Sequence, residues 1–397
     1  MPGPNFHPSE PLTGIPRVAV GLLGYGWIGR AHAAALNRLL ATADELVALP
    51  RLHALCGRHE EAVGTAAQRL GFAGYYTDWR DLVADPEVQA LVNGAQAYLH
   101  AEPSIAALKA GKHVLCEKPL GATLAEARAM LEVARGSGLV HMTGFNYRFV
   151  PAIRLARDLI KSGALGRIYL FRGHYLQEFR RDPMFPAFGD RPEARGRGAL
   201  NDIGSHLFDL ARFLVGEIAT VSGIARTHIS RRPSPTDPSV TLDVPQEDTF
   251  HCVAEFADGP TGIFDASAIA TGRKNQMSLE VNGERGSLRF NLERLNELEV
   301  YLLDEQRPEA LGFRDVLVTE AVHPFAQRWW HKGHILAWED ALRHEQEHFI
   351  ACVAKGVQVG PQGATFEDGY RAAAIAEAVR VSSREGRRID VETVARG

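Results

Sequence analysis

Cysteine is scarce in this chain: four in 397 residues, Cys56, Cys116, Cys252 and Cys352, at least 60 positions apart. With no C-x-x-C pair, a zinc ribbon and a thioredoxin-type redox centre are excluded, and a disulfide framework does not suit so long a chain with so few thiols. Long apolar runs are missing too. No stretch of about 18 uninterrupted apolar residues occurs, so no segment is expected to span a membrane. Charge of one sign is not in excess, with 44 Lys and Arg against 48 Asp and Glu. The net charge of −4 gives no general attraction to nucleic acid or anionic lipid, and neither is expected as a partner. Met1 to Pro16 carry neither the basic start nor the apolar middle of a signal peptide. Residues 1–16 are expected to form a flexible tail, and the protein to be cytoplasmic.

What is present reads as an ordinary globular chain, 45% hydrophobic and 23% charged, long enough at roughly 150 residues per domain for two or three domains. From Arg17 to about residue 145, apolar runs alternate with helical periodicity. Strands are expected at 17–23, 52–56, 88–92, 113–116 and 140–143, and helices at about 28–40, 60–70, 104–110 and 124–135. That alternation, with short links, predicts a parallel sheet covered by helices on both faces. Beyond Gly144 the pattern changes. After a helix over 151–161 come strand-like runs at 167–175, 249–256, 261–268, 277–282, 287–290 and 298–303, joined by turns such as Ala257-Asp-Gly259, the pattern of an antiparallel or mixed sheet. Residues 230–247 hold four prolines and read as a surface loop. Helices at about 339–354 and 368–383 close the chain. The fold class expected is α/β: a doubly wound domain over 17–145, followed by an α+β domain over 146–397.

Gly24-Tyr25-Gly26-Trp27-Ile28-Gly29 is a G-x-G-x-x-G turn between the first strand and the first helix, the setting that a dinucleotide fingerprint requires. Gly24 is expected to make the tight turn, Gly26 to let a pyrophosphate approach the backbone, and Gly29 to let helix and strand pack closely. The free N–H groups and dipole of the helix start favour phosphate there. After the second strand, where a carboxylate usually meets the adenosine ribose, the chain has Cys56-Gly57-Arg58 instead. Losing the carboxylate and gaining Arg58 favours a 2′-phosphate, hence NADP; Glu60 or a differently bent loop leaves NAD open.

Glu117-Lys118-Pro119 follows directly on the fourth expected strand. Ligands of open parallel sheets bind beyond the strand carboxyl ends, so Lys118 is expected to face the cleft. In the stretch 196–215, Ile203, Leu207, Leu210, Ala211 and Leu214 recur as a helical stripe. Asp202, His206 and Asp209 lie one above another on a different face. Singly, Asp202 reads as a helix N-cap and His206 as a packed imidazole. Together with a dinucleotide and Lys118 they form a set able to oxidise an alcohol. His206 suits the proton-accepting base, Lys118 the cation that steadies the developing alkoxide, and Asp202 the orienting group.

On these residues the chain resembles the glucose–fructose oxidoreductase, inositol dehydrogenase and rhizopine-catabolism (Gfo/Idh/MocA) oxidoreductases, from about Arg17 to Val391. The family's Glu-Lys-Pro appears as Glu117-Lys118-Pro119 and its Asp-x-x-x-His as Asp202-Ile-Gly-Ser-His206. The resemblance implies catalytic roles for Lys118, Asp202 and His206. It also implies an N-terminal Rossmann domain, an open-faced, mostly antiparallel second sheet, and assembly as a homodimer or homotetramer. Gly144-Phe-Asn-Tyr-Arg-Phe149 resembles the family's hinge into the second domain. Segments 171–177, 198–203 and 211–217 resemble the levoglucosan dehydrogenase branch and its glycoside or polyol 3-dehydrogenase relatives, which are typically NAD-linked. Where the family often has Thr-Pro-Asn before a histidine, this chain has Gln96-Ala97-Tyr98 before Leu99-His100.

The expectation is an NAD- or NADP-dependent dehydrogenase of a sugar, glycoside or cyclic polyol. Gly24, Tyr25, Gly26, Trp27, Ile28, Gly57, Arg58, His100, Glu117 and Lys118 are the candidates for the cofactor. Lys118, Tyr147, Arg148, Tyr175, Gln177, Asp202, His206 and His323 or His334 are the candidates for the substrate. Trp329, Trp330 and Trp338, flanking His334, are candidates to stack on a sugar ring, though a packed core is the plainer explanation. Two rivals are carried. One is a non-catalytic dinucleotide sensor. The other is a zinc peptidase built on His344-Glu345-Gln-Glu-His348, whose spacing places both histidines on one helical face. Against the latter stand the need for a third ligand and the core stripe Ala341, Phe349, Ile350 and Val353 on that helix. No metal is expected.

Overall fold

The computed structural model describes residues 14–41, 46–188, 198–303, 306–328 and 331–396. Six strands, β1 (Arg17–Leu23), β2 (Leu49–Cys56), β3 (Gly74–Tyr76), β4 (Ala90–Asn93), β5 (His113–Glu117) and β6 (His141–Gly144), form one sheet in the order β3-β2-β1-β4-β5-β6. Every pairing in it is parallel, so each crossover carries a helix: α1 (Trp27–Leu39), α2 (Glu60–Leu70), α3 (Trp79–Ala84), α4 (Ala101–Lys109) and α5 (Leu124–Ser137). The strand order is that of the dinucleotide-binding doubly wound fold, with its switch point between β1 and β4. Strands β4 and β6 are buried at every position, as expected for a sheet covered on both faces.

The remaining elements are α6 (Pro151–Lys161), β7 (Ile168–Leu176), α7 (Ser205–Leu214), β8 (Ile218–Arg226), β9 (Arg231–Pro233), β10 (Thr241–Asp243), β11 (Thr249–Phe256), β12 (Thr261–Ser267), β13 (Gln276–Gly283), β14 (Gly286–Asn291), β15 (Glu297–Leu302), β16 (Arg314–Leu317), α8 (Trp338–Lys355), α9 (Phe366–Glu385), β17 (Ile389–Asp390) and α10 (Val391–Arg396). Nine of these strands make a second sheet in the order β16-β15-β14-β13-β7-β12-β11-β8-β17. It is antiparallel except where β7 and β12 run parallel at its centre. Strand β11 alternates buried and exposed residues along its length, so one face packs on helices and the other is open. Strands β9 and β10 pair as a separate hairpin.

Several elements differ from the expectation. Residues 230–247 are not simply loop, because the β9–β10 hairpin lies within them. Strand β3 and helix α3 escape the pattern because they are short, three and six residues, and β3 is at most half-buried. Strand β8, with the small, mixed sequence IATVSGIAR, has too little contrast to register as a strand. Asp202 is not an N-cap: it lies inside a π-helical turn over Leu200–Gly204 that runs straight into α7. Nearly all of α7 is buried, so the apolar stripe and the polar face are both interior. The last helices return to the first sheet. Arg38 of α1 pairs with Glu339 of α8 at 2.7 Å, and Thr143 of β6 bridges to Ala364 just before α9.

Candidate active site

A cleft of about 930 Å³ runs between the carboxyl ends of the first sheet and the buried face of the second. Its first end is backbone. Gly24 has φ +94°, a conformation open to glycine, and a Cβ there would lie 2.8 Å from the Gly94 carbonyl oxygen. A Cβ on Gly29 would meet the Gly24 carbonyl oxygen at 2.1 Å, so only glycine lets α1 start this close to β1. A Cβ on Gly26 would meet nothing among the described residues within 4 Å, and Gly26 lines the cleft, leaving space at the α1 N-terminus for a phosphate. Tyr25, Trp27, Ile28, Gly57, Arg58, His100, Glu117 and Lys118 line the same cleft, together with His59 and the departing segment Gln96, Ala97 and Tyr98. The cradle thus fits a dinucleotide. His100 does more than line it, because its ring nitrogens lie 2.7 Å from the Pro119 carbonyl and 3.2 Å from that of Ala95, holding two cleft loops together.

The middle of the cleft joins the two sheets. Lys118, at the tip of β5, donates from Nζ to the Asp202 carbonyl at 2.7 Å and to its carboxylate at 3.2 Å. His206 stands one helical turn beyond Asp202 with its ring 4.5 Å from that of Tyr147. It is buried, and its Nδ1 has no hydrogen-bond partner among the described residues. Burial, reinforced by the Lys118 ammonium and only partly opposed by Asp202, holds the imidazole well below its usual titration range. It is therefore neutral and able to accept a proton at physiological pH.

Glu117 is held by a buried chain. Gln346 of α8 donates to His32 Nδ1 at 2.8 Å, which leaves the His32 proton on Nε2, 2.9 Å from Glu117. The other Glu117 oxygen accepts the Lys118 backbone N–H at 3.0 Å. Burial pushes the Glu117 carboxyl up, but His32 and Lys118 outweigh it and the group stays below the usual carboxylate range.

The far wall comes from the second sheet. Trp338 donates from Nε1 to the Tyr147 hydroxyl at 3.3 Å, and the Tyr147 and Tyr175 hydroxyls lie 2.9 Å apart. Tyr175 donates to Asn275 Oδ1 at 2.7 Å, and Gln177 Nε2 reaches the same oxygen at 2.6 Å. With Oδ1 satisfied twice, the Asn275 amide N–H groups are the donors that residue can offer the cleft. Asn146, within the hinge segment 144–149, also lines the cleft, as do Asn275 and the phenylalanines 179, 185 and 188, which went unnoticed in the sequence. Asn275 sits in the turn before β13, with no motif to mark it. Trp338, a stacking candidate in the sequence, does line the cleft.

Three sequence candidates lie elsewhere. Arg148 is buried outside the cleft, where Nε and Nη2 grip the Asp209 carboxylate at 2.9 and 2.5 Å, with Asp368 3.1 Å from Nη2. The attraction of a fully buried carboxylate turned it inward. His323 caps its own turn by accepting the Glu320 N–H. His334 is exposed, with Nδ1 at the His331 carbonyl. Neither lines the cleft. Trp329 and Trp330 lie outside the described residues. The H-E-x-x-H segment belongs to the interior: His344 is 3.0 Å from the Phe149 carbonyl and stacked on Phe325, and His348 lies 2.8 Å from the Val359 carbonyl. Glu345, fully buried with neither oxygen hydrogen-bonded among the described residues, is held well above the usual carboxylate range by burial and by Glu117 and Asp209. Burial thus disfavours the carboxylate that a peptidase base requires, and each histidine has a ring nitrogen committed to a carbonyl.

Comparison with known proteins agrees with this geometry. Residues 18–145 match the model of the "Oxidoreductase family, NAD-binding Rossmann fold" and residues 153–289 that of the "GFO/IDH/MocA C-terminal domain". Levoglucosan dehydrogenase of Pseudarthrobacter phenanthrenivorans is 35% identical over 391 residues, 95% of this chain and 98% of that protein. Myo-inositol 2-dehydrogenase of Thermotoga maritima is 29% identical, covering 94% of this chain and 99% of that one. Among solved structures, levoglucosan dehydrogenase in complex with NADH and L-sorbose superimposes with a TM-score of 0.90 at 36% identity, covering 95% and 99% of the two chains. An oxidoreductase domain protein from Kribbella flavida gives 0.89 at 40% identity, covering 95% and 100%. The chain is an NAD-binding oxidoreductase and belongs to the GFO/IDH/MocA family.

Proposed function

We propose that this enzyme oxidises a ring hydroxyl of a sugar, glycoside or cyclic polyol to a ketone. The observation that carries the reading is the meeting, in one cleft, of Lys118 at the tip of β5 with Asp202 and His206 at the start of α7, beside a glycine cradle shaped for a dinucleotide. NAD, when bound, supplies the acceptor for the hydride leaving the carbinol carbon. His206 takes the hydroxyl proton, for which its neutral imidazole is ready. Lys118 stabilises the alkoxide as the O–H bond breaks, and Asp202 holds that ammonium in place. Tyr147, Tyr175, Gln177 and Asn275 form a hydrogen-bonded polar wall that orients the remaining hydroxyls. The names of the relatives, levoglucosan dehydrogenase and myo-inositol 2-dehydrogenase, point to the same substrate class.

The division into a cofactor domain over 17–145 and a substrate domain over 146–397 belongs to the same proposal. So does homo-oligomer formation through the open sheet face, where Tyr169, Ile224, Val253 and Ile263 are exposed. Among the described residues no helix is long and apolar enough to cross a membrane, and a cytoplasmic location is proposed. Incubating the protein with NAD and a panel of sugars, glycosides and inositols tests the reading. NADH appearing with at least one of them supports it; none appearing at any pH, while NADH still binds, favours the sensor.

A further inference from the structure

The polar wall does not end the cleft. Two residues beyond Gln177 the chain presents Phe179, and Phe185 and Phe188 join it in lining the same cleft. The three rings form one cluster: Phe179 meets Phe185 edge-on at 5.7 Å and Phe188 at 6.4 Å, and Phe185 meets Phe188 at 6.2 Å. Arg180 lies over the Phe188 ring at 4.9 Å. Phe179 remains 39% exposed, which is uncommon for a ring with so many aromatic neighbours and leaves area for a further planar group.

This segment is fastened. Arg232 of β9, fully buried, donates to the carbonyls of Arg180, Asp182 and Phe185, with Asp248 at 3.6 Å to balance its charge. The Ala187 N–H bonds the Pro233 carbonyl. At the other end Glu178 accepts the Gly272 N–H and pairs with Lys274, in the turn that carries Asn275. Burying a guanidinium is costly unless its N–H groups are hydrogen-bonded, and here three carbonyls of one surface loop accept from it, which ties the loop to one shape. The outcome is a preorganised aromatic shelf continuous with the polar wall, away from the Gly57–Arg58 end where the adenosine would lie.

We propose that this shelf is a subsite for an apolar, planar substituent of the substrate, so that the preferred substrate is a glycoside carrying an aromatic aglycone, held by its sugar hydroxyls at Gln177 and Asn275 and by its aglycone on Phe179, Phe185 and Phe188. The inference rests on the function proposed above and narrows its substrate class. Burying one aromatic group on such a shelf is worth tenfold or more in discrimination.

The test compares kcat/KM with NAD for matched methyl and phenyl glycosides of glucose, galactose and mannose, both anomers, beside 1,5-anhydroglucitol and inositols, in the wild-type protein and in Phe179→Ala and Phe185→Ala. The expected result is a phenyl-to-methyl ratio of at least about tenfold for one sugar, carried mainly by KM, falling towards one in either variant. The wild-type ratio requires no variant to fold. Equal rates for methyl and phenyl glycosides, or turnover confined to unsubstituted polyols and anhydrosugars, overturn the shelf but leave the dehydrogenase reading standing. No NADH from any compound overturns both. A ratio that survives in both variants also overturns the assignment, because the aglycone would then bind elsewhere.

Discussion

On the side of the six-stranded sheet the cleft is lined largely by backbone and by residues adjacent in sequence: Gly24 to Ile28 form one turn, and Glu117 to Pro119 one strand tip. On the side of the nine-stranded sheet it is lined by side chains drawn from far apart, Tyr147 before α6, Gln177 after β7, His206 on α7, Asn275 before β13 and Trp338 at the start of α8. The first kind of wall suits a ligand whose phosphates are common to many proteins, because N–H groups and a helix dipole need no particular side chain. The second suits a ligand that varies, because each donor can be exchanged without disturbing the sheet behind it. Substitutions on the two sides should therefore fail in different ways.

The largest effects are expected where the walls meet. Lys118→Ala and His206→Ala should each lower kcat by about 10² to 10⁴, with NADH affinity from fluorescence titration little changed. Near-normal rates in both would undo the role assignment. Next comes Arg148, which resembles a cleft residue in the sequence but is bound to Asp209. Arg148→Ala leaves a buried carboxylate uncompensated and should cost about 3–5 kcal/mol of stability, read as a lower denaturant midpoint. A variant of unaltered stability with a raised substrate KM would return Arg148 to the substrate side. Asn275→Ala should raise the substrate KM by roughly tenfold and leave the NADH dissociation constant alone; the reverse split would move Asn275 to the cofactor wall.

The pH profile sharpens the comparison further. Burial and the Lys118 charge both disfavour the imidazolium, so His206 loses its proton below the ordinary histidine range of about 6.5. The acid limb of kcat/KM for alcohol oxidation should accordingly lie below that pH, and in Lys118→Met it should move upward, since one of the two depressing causes is gone. An acid limb above 6.5 in the wild-type protein would point to a different base. The smallest effect is expected at the adenosine end. Arg58→Asp should weaken NADP a few-fold relative to NAD, measured as a ratio of KM values; an unchanged ratio clears Arg58 of any part in the choice.

Legibility in the sequence followed the same division. The G-x-G-x-x-G turn, Lys118 and the Asp202–His206 pair were visible because each is a short local pattern, and Gly24 to Ile28, Lys118, Asp202 and His206 line the cleft. Asn275 was not, because it reaches the wall only through a sheet order that inserts β7 between β12 and β13. Arg148 misled because its sequence neighbours do line the site, whereas its own side chain answers to Asp209 and Asp368, 61 and 220 positions away. H-E-x-x-H had to be carried as a rival because spacing alone cannot tell whether the ring nitrogens face a void or a carbonyl. Here they face carbonyls.

By itself the amino-acid order determined the alternating parallel domain, the glycine turn that opens its first helix, the candidates proposed here as the reacting ammonium and imidazole, and the family. These depend on periodicity and on contacts between near neighbours, which residue type and spacing encode directly. Only the tertiary structure decided that the His206 ring is neutral, that Arg148 faces inward, and that a buried Arg232 fixes three phenylalanines at the end of a polar wall. Burial, charge pairing and the meeting of distant strands are properties of three-dimensional neighbours, and no local pattern records which residues those will be.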